Sequence, residues 1–338
     1  MSNGINIQGT LIFKQTVEFP EQIEEALTTE IPKLPKAKKV CISGMGASAL
    51  AGDILSDFAD ESSRTPIYVV RGAEFPRWVK EDTWVVLVSY SGNTKETLAA
   101  YDEAIKRKCK IVCVTSGGEL YSKCLNRKDV AVNMHGSMQS RTALGILLGS
   151  LASVLEAMGV SKAKTELEKI VPALKAERDR ILSDDCCEAR EIAEKLNDKI
   201  PVIYSLANMR SSAVRWKTQI NENSKNISFC GSIPEFNHNE IVGWTDDRNN
   251  NRNFVPVVLY DDGASGMVKG MTDTLIEILS DSNLQIITHH VNGSSNLEKN
   301  LKSIILGDIV SILLADLLST DPATEKPLRE ARERASSQ

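Results

Sequence analysis

Aromatic residues are scarce. Phe, Tyr and Trp together make up 5% of the 338 residues, which disfavours the ring platforms on which nucleic-acid bases stack. An excess of positive charge is missing as well. Lys and Arg number 40 against 45 Asp and Glu, a net charge of −5, whereas proteins that neutralise phosphate backbones are usually basic. No apolar run is long enough for a bilayer. The uncharged stretch 143–155 contains Gly and Ser and reads as a buried helix, and the later apolar run 304–318 carries Asp308 and Asp316. Residues 1–8 show no basic segment followed by an apolar run, so no secretory signal is read there. Neither a nucleic-acid nor a membrane partner is expected, and the chain reads as soluble and cytoplasmic.

Paired cysteine motifs are also absent. The seven Cys form no CxxC, and adjacent Cys186 and Cys187 make a poor disulfide. Cys41, Cys109 and Cys113 lie in or beside apolar strand-like runs and read as buried, reduced thiols. None of His135, His238, His289 and His290 stands at a zinc-type spacing from Cys. His289 and His290 are neighbours, and neighbours on a strand point to opposite faces. No metal and no cofactor is expected.

What is present is ordinary globular composition, 42% hydrophobic and 25% charged. At this length two domains of roughly 150–170 residues are expected. Short β-branched runs alternate with longer amphipathic segments, the α/β pattern. Strands are expected at 39–43, 67–70, 84–89, 111–115 and 130–133, with helices at 48–57, 93–106 and 142–158. A shift in composition at 159–164 places a linker there, giving domains 1–160 and 161–338. The second half repeats the pattern, with strands at 201–205, 226–230, 254–259 and 284–288. Its helices are expected at 209–225, 270–279 and 297–318, with a last one in the tail. VCISGMGASA at 40–49 and VIYSLANMRSSA at 202–213 both run strand, Ser, small residues, helix, a faint internal repeat.

Two loops carry chemistry. Gly44-Met45-Gly46-Ala47-Ser48-Ala49 satisfies G-x-G-x-x-A after a strand and before a helix. Such glycines let the backbone approach an anion at a helix N-terminus. A dinucleotide site also needs an acidic residue at the end of the second strand, and here that strand ends in Arg71-Gly72. Ser89-Tyr90-Ser91-Gly92-Asn93-Thr94 places three hydroxyls at the start of a helix. One of them could be a simple cap. Together they form a phosphate cradle without lysine or metal, suited to a phosphate monoester on a small polyol. Neither loop has the G-x-x-x-x-G-K-[ST] pattern of nucleotide hydrolysis.

GMGASA followed by SYSGNTKET resembles the sugar isomerase (SIS) domain. RWKTQINENSKN at 215–226 and PEFNHNEIVGW at 234–244 resemble the bifunctional phosphoglucose/phosphomannose isomerase family. So do SRTALG at 140–145 and LGDIVSILLADLLSTDP at 306–322. The likeness runs from about residue 40 to 322. It implies two SIS domains per chain, each a mainly parallel sheet flanked by helices, in a cytoplasmic homodimer. It implies a sugar 6-phosphate substrate held by Gly46, Ser48, Ser89, Ser91 and Thr94. Glu222 matches the catalytic base, and Arg141 the arginine that stabilises the enediolate. His238 matches the ring-opening histidine, which the family contributes across the dimer. The family's assisting lysine falls at Arg332, with Lys326 as the alternative.

These types suit the chemistry. A carboxylate can move a proton between C1 and C2, and histidine titrates in the range needed to open a ring. A guanidinium is a fixed, forked cation for a developing oxyanion. Glu222 lies at helical spacing from Gln219 and Arg215, so the three share one polar stripe, expected to line a cleft. A phosphosugar isomerase is the leading expectation. A sugar-phosphate-binding regulator without turnover is its rival, and a nicotinamide dehydrogenase a distant third.

Overall fold

The computed structural model describes residues 7–60, 63–134, 136, 138–246, 251–282 and 284–336. His135 lies outside the described residues. Two compact units result: Val17–Ala176, and the segment up to Thr16 together with Glu177 onward. The division falls inside the helix Ala163–Leu182.

Five strands form the sheet of the first unit: β1 (Val40–Ser43), β2 (Ile67–Val70), β3 (Trp84–Ser89), β4 (Lys110–Thr115) and β5 (Val130–Asn133). They pair in the order β2-β1-β3-β4-β5, all parallel. β1 and β3 are buried along their whole length, which is why both read as unbroken apolar runs. On one face Val85, Leu87, Tyr101, Ile111 and Leu120 pack into a core that includes Cys41, Cys109, Cys113 and Cys124. Burial pushes the Cys41 thiol up to about 12, so it stays protonated. All seven cysteines are unbridged. The stretch expected to be a buried helix is one, Leu144–Ala157. It packs against the helices Phe19–Leu27 and Gly46–Asp60, the first of which was not expected from the sequence.

The second unit contains β6 (Ile200–Ser205), β7 (Phe229–Ser232), β8 (Phe254–Asp261) and β9 (Ile287–Val291), in the order β7-β6-β8-β9 and again parallel. The faint repeat is therefore topological. In both sheets the first strand is interior, the second lies outside it and the third on its other side. β7 starts three residues later than expected because the side chains of Asn226 and Ser228, not their backbones, bond to the β6 segment. Asn226 Nδ2 donates to Lys199 O at 2.7 Å and Ser228 Oγ to Pro201 O at 3.1 Å. β9 also starts three residues late, pairing with the carboxyl half of β8, Val257–Asp261. Among the described residues no helix is long and apolar enough to cross a membrane.

His289 and His290 do face opposite sides of β9. His289 is 5% exposed and lies against Trp216, while His290 is exposed and pairs with Asp262 at 2.7 Å. Burial is the main cause that lowers the His289 pKa to about 4, although Glu188 and Glu177 oppose it. An unfolded chain binds this proton near pH 6.5, so the folded state loses stability when the imidazole is forced to charge. The contribution is complete above about pH 6.5 and is lost as pH falls toward 4, by up to about 3 kcal/mol at 1.36 kcal/mol per unit. Thermal midpoints measured from pH 7 to 4 should fall less steeply for His289→Gln than for the parent. Equal slopes would rule out His289 as a source of acid lability.

Candidate active site

In an open parallel sheet, ligands bind beyond the carboxyl ends of the strands where the strand order reverses. In the first unit that point lies between β1 and β3, whose registers align Ser43 with Leu87. The two hydroxyl-bearing loops leave from these two strands, so the fold brings them side by side. Gly44 permits the approach: a Cβ there would lie 2.9 Å from Val88 O.

The loop after β3 is held from within and by the loop after β4. Ser89 Oγ accepts from Gly92 N–H at 3.1 Å and donates to Thr94 Oγ1 at 3.0 Å. Ser91 Oγ accepts from Asn93 N–H at 3.2 Å. Asn93 Oδ1 accepts from Glu119 N–H at 3.0 Å, and Gly92 O from Leu120 N–H at 2.9 Å. Gly92 has φ +67°, and a Cβ on it would fall 1.8 Å from Gly117 O. No L side chain fits there. Thr94 occupies the N-cap of the helix Lys95–Lys106, yet its side chain makes no capping bond. Its reading as a simple cap is thus not realised. Accepting from Ser89 leaves the Thr94 hydroxyl its own proton to donate. The first-turn amides behind it have no intrahelical acceptor by construction, and the positive end of the helix dipole lies there.

Ser48 is 6% exposed, in the first turn of the helix Gly46–Asp60. Gly46 opens that helix with φ +52°. Arg71, found where a dinucleotide site would need an acid, instead pairs with Asp53 of the same helix. Arg141 is 4% exposed, so it is not a surface charge. It sits in the turn Gln139–Thr142, closed by a 3.0 Å backbone bond. The preceding segment is tied to the β3 loop, because Met138 N–H donates to Tyr90 Oη at 3.1 Å.

In the second unit Glu222 and His238 flank β7. Glu222 is half-buried in the last turn of the helix Arg210–Asn223, before β7. His238 is exposed in the loop after it, not a core histidine. Helices in a parallel layer run back against the strands, so the helix that carries Glu222 ends toward the amino edge of the sheet, and β7 then takes the chain to the carboxyl edge before His238. About 13 Å of strand, four residues at ~3.3 Å each, separates the two edges. The His238 loop is held by Phe236, which packs edge-on to Tyr204 at 5.0 Å. Trp244 Nε1 donates to Tyr204 Oη at 2.8 Å, and Tyr204 to Glu240.

The expected cleft along Arg215, Gln219 and Glu222 is not found. Arg215 and Gln219 are 2% and 3% exposed and face the helix Asn296–Leu317. Spacing showed a shared stripe but not that a second polar stripe covers it. Lys225 carries no signal in the sequence motifs. It adopts φ +56° just past the helix, and its Nζ donates to Glu222 O at 2.6 Å and reaches Pro322 O at 3.5 Å. Thr320 Oγ1 bonds Ser224 O at 3.4 Å. The start of the C-terminal segment therefore meets the Glu222 end of the helix. Lys326 is exposed and lies 3.9 Å from Glu330. Arg332 belongs to the helix Lys326–Ser336, and its side chain lies outside the described residues.

Residues 33–154 match the SIS domain, and residues 187–334 match the bacterial phospho-glucose isomerase C-terminal SIS domain. A bifunctional phosphoglucose/phosphomannose isomerase of Aquifex aeolicus is 34% identical over 297 residues, 88% of this chain and 90% of that protein. The chain belongs to the bifunctional phosphoglucose/phosphomannose isomerase family. A second member, from Caldicellulosiruptor bescii, is 31% identical across 94% of this chain and 96% of its own length. A D-glucosamine-6-phosphate 4-epimerase of Sulfolobus acidocaldarius is 29% identical, covering 72% of this chain and 76% of that one. The family's fold extends further. The C-terminal domain of glucosamine-fructose-6-phosphate aminotransferase from Francisella tularensis superposes with a TM-score of 0.76 at 15% identity, over 95% of this chain and 100% of that chain.

Gly92→Ala should lower the thermal midpoint by several degrees, since a strained left-handed alanine costs at least about 1 kcal/mol before the clash is counted. It should also abolish any stabilisation of the midpoint by added inorganic phosphate. A variant with parental stability and parental phosphate response would mean that the loop does not need the observed conformation.

Proposed function

We propose that this chain interconverts glucose 6-phosphate, and also mannose 6-phosphate, with fructose 6-phosphate through a cis-enediol. The observation that carries the reading is the hydroxyl-rich cradle at the β1/β3 switch point, in a chain 34% identical to a named bifunctional isomerase over 88% of its length. Residues 1–160 bind the phosphate in this reading, and 161–338 supply the acid–base pair. The phosphate is held by Gly46, Ser48, Ser89, Ser91 and Thr94 with the amides of the helix start. Charge is neutralised by donors and a dipole, so a chain of net charge −5 can bind an anion.

His238 opens the sugar ring, delivering or removing a proton at the ring oxygen or the C1 hydroxyl. Glu222 takes the proton from C2 of the aldose and returns it to C1. Arg141 steadies the negative charge that grows on the enediolate oxygens, and Arg332 or Lys326 assists ring opening. The hydrogen moves between adjacent carbons of one molecule, so no electron acceptor enters the balance. A homodimer supplies His238 from the second copy. This arrangement is what the resemblance to the family implies for His238. The activity belongs to cytoplasmic carbohydrate metabolism, in glycolysis and gluconeogenesis.

Glucose, mannose and glucosamine 6-phosphates should be assayed side by side, the last because one relative is named an epimerase of it. Fructose 6-phosphate is expected from the first two. Glu222→Gln should lower kcat by several orders, about 4–7 kcal/mol of barrier, and near-normal turnover would remove Glu222 as the base. Ser89→Ala should raise KM while kcat changes little, the signature of lost uniform binding. A fall in kcat at constant KM would instead move Ser89 out of the phosphate site.

A further inference from the structure

The polar stripe that was expected to line a cleft is a seam between two helices, and the seam is unusually rich in buried polar groups. Arg215 Nε donates to Asp308 Oδ1 at 2.8 Å and Nη2 to Oδ2 at 2.6 Å, with side chains 3% and 7% exposed. On the next residue, Trp216, Nε1 donates to Ser303 O at 2.8 Å. Gly307 makes room for that indole, since a Cβ there would lie 2.4 Å from Nε1. Ser212 Oγ bonds Asn300 at 2.8 Å. At the far end Asn223 Nδ2 donates to Ser311 Oγ at 2.9 Å and to Gln219 Oε1 at 3.1 Å. The ties run along both helices from 212 with 300 to 223 with 311, with the long Arg215 side chain reaching past the level of Ser303 to Asp308.

Burying an ion pair is costly, and an apolar seam of equal volume often holds two helices at least as well. Burial pushes the Asp308 carboxyl up, and only Arg215 pulls it back down. Apolar side chains tolerate sliding and rotation, whereas paired donors and acceptors accept one register and one rotation. The residue that this rotation aims is Glu222. It precedes Asn223, follows Gln219 by three and Arg215 by seven, and is the half-buried residue of the set.

We propose that Arg215, Asp308, Asn223 and Ser311 are positioning residues that set the direction of the Glu222 carboxylate. The inference rests on Glu222 being the base. A base that must reach C1 and C2 in turn is sensitive to placement, and about 1 Å of displacement can cost roughly 100-fold.

The test uses the full-length protein with glucose 6-phosphate deuterated at C2, reading kcat, KM and the fraction of deuterium carried to C1 rather than lost to water. Asp308→Asn should lower kcat about 100-fold and Ser311→Ala about 5–10-fold, each with KM within about twofold. Both should retain less deuterium, because a misdirected carboxylate exchanges with solvent. Ser311→Ala removes one hydroxyl and decides the matter if Asp308→Asn does not fold. Folded variants with parental kcat and parental retention, beside an inactive Glu222→Gln, overturn the positioning role alone. A kcat that falls only with the folded fraction, at unchanged retention, also overturns it. An active Glu222→Gln overturns the base assignment and this inference together.

Discussion

Parallel strands impose one constraint on which everything else depends. Each helix must carry the chain back to the starting edge, so strand ends and helix starts collect at one edge and helix ends at the other. In the first unit this gathers the loops after β1 and β3 where the strand order reverses. Their hydroxyls and free amides then face the same space with no basic residue required. In the second unit the same rule puts the end of the Glu222 helix at the starting edge and the end of β7, six residues before His238, at the other.

Local chemistry refines what the topology allows. Ser89 serves the loop by accepting from Gly92 N–H and donating to Thr94 Oγ1, which leaves Thr94 its own hydrogen to donate. Gly92 and Gly117 approach so closely that the loops after β3 and β4 form one piece. In the second unit, rings do the equivalent work: Tyr204, Phe236 and Trp244 hold the segment that displays His238. Polar pairs together with the buried indole of Trp216 hold the helix that displays Glu222.

Much of the fold was legible in the sequence. β3 reads as WVVLVS because a parallel strand covered on both faces needs no alternation, and the helix Leu144–Ala157 reads as buried because its residues up to Leu155 carry no charge. The helices Phe19–Leu27 and Gly118–Arg127 were missed although both are amphipathic, being only nine and ten residues long. The starts of β7 and β9 were misjudged because pairing partners, not propensity, decide where a ladder begins. Among site residues, the hydroxyl loop declared itself by composition. Lys225 gave no local signal, since its role is to turn back onto carbonyls that only a finished helix end presents.

By itself the sequence determined the α/β alternation, the two hydroxyl and glycine loops, and the motifs shared with an isomerase family. These are properties of neighbouring residues and their periods. Only the tertiary structure decided that Arg141 is buried and that Arg215 answers to Asp308 ninety-three residues away. It alone decided that the stripe beside Glu222 is a seam and not a cleft. Those facts depend on which surfaces meet, and a helix of given sequence presents the same stripe whether water, substrate or another helix covers it.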